Sequence, residues 1–163
     1  MGDYYTEQLV AKRASGADAV IKAVLILVTV LSCALFLLIP FAIIVPVIMI
    51  CIDVFVFRNL NVEYEYLYVN GNLDIDKIMA KSRRKRIFSM EMTDLEVIAP
   101  AGAPELGQYH GLKAQNYGSG VPGAPVYEMI IVQKGEKRKI SFEPNDVILD
   151  GMRMLAPRKV VRR

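Results

Sequence analysis

From Ala23 to Phe57 nearly every position is apolar, and Asp53 is the one charged residue among the 35. Beyond Asn59 the apolar positions recur every second residue instead. The first pattern predicts membrane insertion, because about 20 apolar residues already span a bilayer. As one helix the run would be about 52 Å long against roughly 30 Å of hydrocarbon. Pro40 and Pro46 lie near its middle, and proline removes a backbone donor and disfavours helix at the residue before it. The run is therefore expected to be a two-helix transmembrane hairpin over 23–57, with its turn near 40–46 and about 17 residues in each helix. A shallow re-entrant hairpin is the alternative. Within it, Thr29 and Ser32 read as helix-contact residues, and Cys33 and Cys51 as small buried side chains outside any disulfide framework. Asp53 precedes Arg58 by five residues and is expected to reach the interface.

The second pattern predicts strands. Val62, Tyr64, Tyr66 and Tyr68 alternate with polar or smaller residues up to Val69, and Asn70-Gly71 follows, the strongest short hairpin signal. A two-residue loop pairs Val69 with Asn72, which sets Tyr66 opposite Ile75, Tyr68 opposite Leu73 and Glu65 opposite Asp76. Further strands are expected at Arg86–Met92, Leu95–Ala99, Val126–Gln133 and Lys137–Phe142, with a weak one around Leu112–Tyr117. Ten of the 26 residues from Pro100 to Pro125 are Gly or Pro, so most of that stretch is loop. Ile148, Met152 and Leu155 then recur with helical spacing, Asp146 favours the helix start and Pro157 ends it. The region 59–163 is long enough for one small domain with its own core.

Charge orients the chain. Lys12, Arg13 and Lys22 precede the apolar run, Arg58 follows it, and the turn between carries no charge. Basic flanks stay cytoplasmic, so both flanks lie on one side, two spans are required and both termini are cytoplasmic. The segment 1–22 reads as a cytoplasmic extension, folded as a short interfacial helix, with Ser15 and Asp18 as a capping pair ahead of the first span. Met1-Gly2 to Thr6 satisfies a myristoylation pattern that a hairpin anchor makes redundant. Val30-Leu31-Ser32-Cys33 imitates a lipoprotein cleavage site, yet apolar residues rather than a polar tether follow it.

No residue set names a reaction. Gly118-Ser-Gly120-Val-Pro-Gly123 fits the G-x-G-x-x-G string, but Pro122 and Pro125 forbid the helix a dinucleotide fingerprint needs. His110 is the only histidine and sits in the Gly/Pro-rich loop, whereas zinc sites draw on several His or Cys ligands. No catalytic, cofactor or metal residue is assigned. Glu63, Glu65, Asp74 and Asp76 share one sheet face, and solvent or the basic strand that follows should offset them, with a divalent cation as the less favoured alternative. That strand carries Lys81, Arg83, Arg84, Lys85 and Arg86 after Lys77, six cations in ten residues. Near a membrane anchor they read equally as contacts to anionic headgroups and as a solvated strand edge whose charge only sets topology. Residues 59–163 hold 16 basic and 13 acidic side chains, a net +3, too balanced for a nucleic-acid binder.

Six or seven antiparallel strands closed by a C-terminal helix is the order of a pleckstrin-homology-like barrel or sandwich. The stretch from Asn61 to Lys77, the Ile98-Ala-Pro100 step, and the ending Phe142-Glu-Pro-Asn145 with Ala156-Pro-Arg-Lys159 resemble a family of small bacterial membrane proteins. In that family a transmembrane hairpin precedes a pleckstrin-homology-like domain. The resemblance implies a fold, a membrane anchor and no activity. The expected protein is a non-catalytic binding or scaffolding module at the inner face of the bacterial cytoplasmic membrane, in contact with the bilayer and a protein partner. The alternative is an accessory subunit of a transporter or channel, recognised through the Thr29/Ser32 helix face.

Overall fold

The computed structural model describes residues 4–162, the side chains of Pro40 and Ala42 excepted. Met1–Asp3, and with them the myristoylation pattern's glycine, lie outside the described residues. The chain begins with strand β1 (Tyr5–Ala11), where an interfacial helix was expected. Its faces are mixed in character and only Val10 is buried, so alternation alone did not reveal it.

Helix α1 (Gly16–Leu38) follows, and its start is the expected capping box: Ser15 accepts from the Asp18 amide while Asp18 accepts from the Ser15 amide. A 3-10 turn over Pro40–Ile43 leads into α2 (Ile44–Leu60). Pro46 falls in the first turn of α2, where its missing N–H costs no helical bond. Thr29 Oγ1 donates to Asp53 Oδ2 at 2.6 Å and the Lys22 ammonium lies 6.0 Å from the Phe57 ring centre. These contacts, with the short connection, set the two helices antiparallel. Asp53 thus faces the seam between the helices rather than the interface, and its Oδ1 is buried without a hydrogen-bond partner. Ser32 is the one buried residue of α1. Both cysteines are free, outside any disulfide as expected, but exposed on the protein rather than buried within it. Helix α1 is long and apolar enough to cross a membrane, and only 6% of its most apolar window is buried within the protein.

One residue, Asn61, separates α2 from β2 (Val62–Val69). Strands β3 (Asn72–Met79) and β4 (Arg83–Glu91) complete a sheet ordered β1-β2-β3-β4, in the register expected of the Asn70-Gly71 turn. Both turn residues take positive φ, 47° and 91°. A second sheet has the order β5-β7-β8-β6, built from β5 (Leu95–Pro100), β6 (Ala114–Asn116), β7 (Tyr127–Gln133) and β8 (Glu136–Phe142). Among the described residues, eight strands in two open sheets therefore replace the six or seven expected. One pairing, β6 with β8, is parallel, because β6 reaches the edge of β8 by way of the long Gly/Pro-rich loop rather than a tight turn.

Between the sheets lie Tyr66, Tyr68, Leu73, Ile75, Met129, Ile140 and Phe142, all essentially inaccessible. Tyr66 and Phe142 meet edge to face at 5.5 Å, an arrangement aromatic quadrupoles favour. The Tyr66 hydroxyl donates to the Tyr117 carbonyl at 2.6 Å and accepts from the Glu143 amide at 3.3 Å. Tyr68 has no such partner for its hydroxyl.

Helix α3 (Asp146–Leu155) covers the end of the core away from the apolar helices, with Asn145 capping it. Ile148, Leu149 and Met152 enter the core, and Gly151 lies against Tyr4 and Tyr68, where a Cβ would come within 2.6 Å of the Tyr68 ring. Leu155, expected as the third anchor, is 59% exposed, since the helix ends there and the chain turns to pair Val160 with Ile98.

Met152→Asp should unfold the domain, with a loss above about 3 kcal/mol for an unpaired buried charge, whereas Leu155→Asp should stay within about 0.5 kcal/mol; thermal melts of the β signal distinguish them. Burial pushes the Tyr68 phenol from 10.0 up to about 12. Between those values the folded chain keeps a proton that the unfolded chain has released, so stability should fall as pH rises through that window. Tyr68→Phe should leave neutral-pH stability unchanged and make the alkaline fall shallower.

Candidate functional site

The apolar helix pair interrupts one antiparallel strand pair. β1 and β2 run beside each other up to Ala11 opposite Glu63, and the Lys12 amide closes the ladder on the Val62 carbonyl at 3.0 Å. Both helix ends must therefore leave from one end of one sheet. The β3–β4 turn arrives at the same end, where the Ala80 amide donates to the Asn61 carbonyl at 2.9 Å. So does the loop after β6, because the Arg13 amide donates to the Ser119 carbonyl at 2.8 Å. This end carries Lys12 and Arg13 on one side, and Arg58, Lys81 and Arg83 on the other, all exposed.

Lys12 and Arg13 line a cavity of about 430 Å³ with Ser15, Tyr64, Asn116 and Ser119, and none of its lining residues is acidic. Glu143 stands outside that lining and holds one of its residues, Ser119, from behind. This carboxylate is 8% exposed and accepts from both the Ser119 amide, at 2.8 Å, and the Ser119 hydroxyl, at 2.9 Å. A Cβ on Gly118 would stand 2.7 Å from the same oxygen, so a larger residue there would have to shift the Glu143 carboxylate. The G-x-G-x-x-G string is this carboxylate-pinned loop, with no helix opening from it.

The six cations singled out from the sequence divide by face. The bulge between Ile75 and Asp76 keeps Arg84 and Arg86 on the outer face with the carboxylates. Arg84 lies 2.5 Å from Glu65 and 3.9 Å from Asp76, and Arg86 lies 3.1 Å from Asp74 and 3.5 Å from Asp76. The basic strand thus offsets the carboxylate face. Glu65 is almost fully buried, and burial with a hydrogen bond to Glu7 pushes its carboxyl up while Arg84 pulls it down. Lys77 and Lys85 stand opposite each other on the other face, Lys77 half-buried and Lys85 exposed. Only Lys81 and Arg83 of the six belong to the helix-end rim.

Lys12, Arg13 and Arg58 join that rim although the sequence reading counted them as topology signals alone. Their adjacency to Lys81 and Arg83 depends on the β1–β2 pairing, and the signal that could have exposed it was the apolar run entering and leaving one basic surface. His110 is exposed at the end of a second 3-10 turn, Pro104–Tyr109.

Two facing sheets with a C-terminal helix across one end define a pleckstrin-homology-like domain. The family described as bacterial PH-like domain (DUF6106) matches residues 2–162, and the chain belongs to it. No curated protein and no solved structure matches the chain.

Replacing Glu143 by Ala should leave the Ser119 amide and hydroxyl without their acceptor at a cost of about 1–3 kcal/mol. Hydrogen exchange at Ser119 should accelerate with it, while exchange within β2 and β3 should change only as much as global stability does.

Proposed function

We propose that the protein is a non-catalytic binding or scaffolding module of the bacterial cytoplasmic membrane, held by two spans with both termini cytoplasmic. Its basic rim is turned to the inner leaflet. The observation that carries this reading is the insertion of the apolar helix pair between β1 and β2, beside Lys12, Arg13, Arg58, Lys81 and Arg83. Basic residues at both helix ends on one side favour a cytoplasmic domain. Each cation near an anionic leaflet contributes about 1 kcal/mol, fading within a Debye length of about 8 Å. Since the helices already locate the domain, these contacts would fix its inclination.

Arg84 and Arg86 have carboxylate partners and contribute less to this surface than the sequence suggested; Lys77 and Lys85 stand behind the rim. The accessory-subunit reading draws less support. Thr29 bonds Asp53 and Ser32 is buried, so that polar face serves the chain's own helix pair.

With Cys33 and Cys51 changed to Ala, a membrane-impermeant thiol reagent should reach Phe41→Cys from outside intact cells and Lys134→Cys only after permeabilisation. External labelling at Lys134 overturns the topology. In anionic nanodiscs, a fluorophore at Ser82→Cys should be quenched by headgroup-attached quencher far more than one at Gly135→Cys. The difference should shrink as salt rises or when the lipid is neutral.

A further inference from the structure

Building on the membrane orientation just described, we propose that the cleft between the end of α2 and the β3–β4 turn binds one anionic phospholipid molecule. The cleft holds about 400 Å³. Its helix wall is Cys51, Val54 and Phe55, with Arg58 completing the same stripe at helical spacing. Arg58 follows Cys51 by seven positions, so the wall runs about 10 Å along the helix. Across from it stand Met79, Ser82 and Arg83. The lower part is therefore apolar and the mouth carries two guanidinium groups.

The turn is held in place rather than adaptable. Its Ala80 amide is tied to Asn61, and Arg58 Nη2 donates to Ser82 Oγ at 3.3 Å across the mouth. Arg84 and Arg86, one and three positions further on, both have carboxylate partners. Arg58 and Arg83 have no ion pair among the described residues. A phosphate diester between them would accept charge-assisted hydrogen bonds from both. Phe55 is 64% and Val54 53% exposed in the protein alone, and an acyl chain beneath the same phosphate would cover them. A soluble phosphate would satisfy the mouth and leave that wall bare. The geometry thus selects a molecule with its anionic and apolar parts joined end to end.

Native mass spectrometry of the full-length chain, released from nanodiscs of mixed phosphatidylglycerol and phosphatidylcholine, tests this. The wild type should keep one phosphatidylglycerol per chain, with a preference of about tenfold or more over phosphatidylcholine, as loss of a charged hydrogen bond implies. Arg58→Gln with Arg83→Gln should abolish the preference. Lys113→Gln with Arg153→Gln removes the same charge from exposed positions elsewhere and should keep it. Phe55→Ser should weaken retention with the arginines intact, and unchanged melting curves exclude unfolding as the cause.

Equal preference in the double arginine variant and the wild type overturns the proposal. Retention unaffected by Phe55→Ser but abolished by inorganic phosphate overturns it too, by making the ligand a phosphate alone. Retention of an acidic peptide in place of lipid would likewise sink it. The orientation beneath it fails separately, by external labelling at Lys134.

Discussion

The pairing of β1 with β2 sets the terms for everything else in this protein. Neighbouring strands lie about 4.8 Å apart, whereas packed helices lie about 8–10 Å apart. The chain must spread from one spacing to the other within Lys12–Ser15 on one side and Asn61 on the other. No room is left for a flexible tether. The bond from the Lys12 amide to the Val62 carbonyl closes the sheet where the helices begin, and every group near that end is held close to the apolar pair. The basic rim, the carboxylate-pinned loop and the β3–β4 turn all inherit their placement from this one junction.

Electrostatics on the domain follow from strand geometry more than from composition. A run of cations along β4 splits by alternation, and the bulge after Ile75 determines which of them meet Asp74, Asp76 and Glu65. On the outer face arginine and carboxylate offset each other, one carboxyl held up by burial and a like-charged neighbour. At the rim, Arg13, Arg58 and Arg83 have no ion pair among the described residues. Counting charge along the sequence therefore did not separate the paired arginines Arg84 and Arg86 from Lys81 and Arg83, and did not bring Lys12, Arg13 and Arg58 beside them.

Much of the fold was legible because local signals agreed with one another. Asn70-Gly71 set the β2–β3 register residue by residue, Pro40 marked the break between helices while Pro46 lies inside α2, and Ser15 with Asp18 marked the start of α1. β1 was hidden because Tyr5, Glu7 and Leu9 put mixed chemistry on its outer face and a single apolar residue, Val10, enters the core. Its assignment needs knowledge of β2, which lies 50 residues away across the apolar run. Leu155 had the right spacing for the core and missed it because periodicity says nothing of where a helix runs out. The candidate site was legible only in its charges. The cleft beside α2 and the cavity beside α1 arise from contacts between segments that no sequence window joins.

Asn61 is the only residue between α2 and β2, so the helix and the strand behave as one lever. If α2 spans a bilayer as proposed, its 17 residues reach about 26 Å, so it would stand near upright in a thicker membrane and tilt in one thinned below that length. β2 extends about 26 Å from that pivot, so each 10° of added inclination carries the Asn70-Gly71 end sideways by about 5 Å. Rim contacts to headgroups would oppose that swing on one side and assist it on the other. On the membrane reading proposed above, a domain joined this way is a pointer whose aim would change with the thickness of the bilayer around its helices.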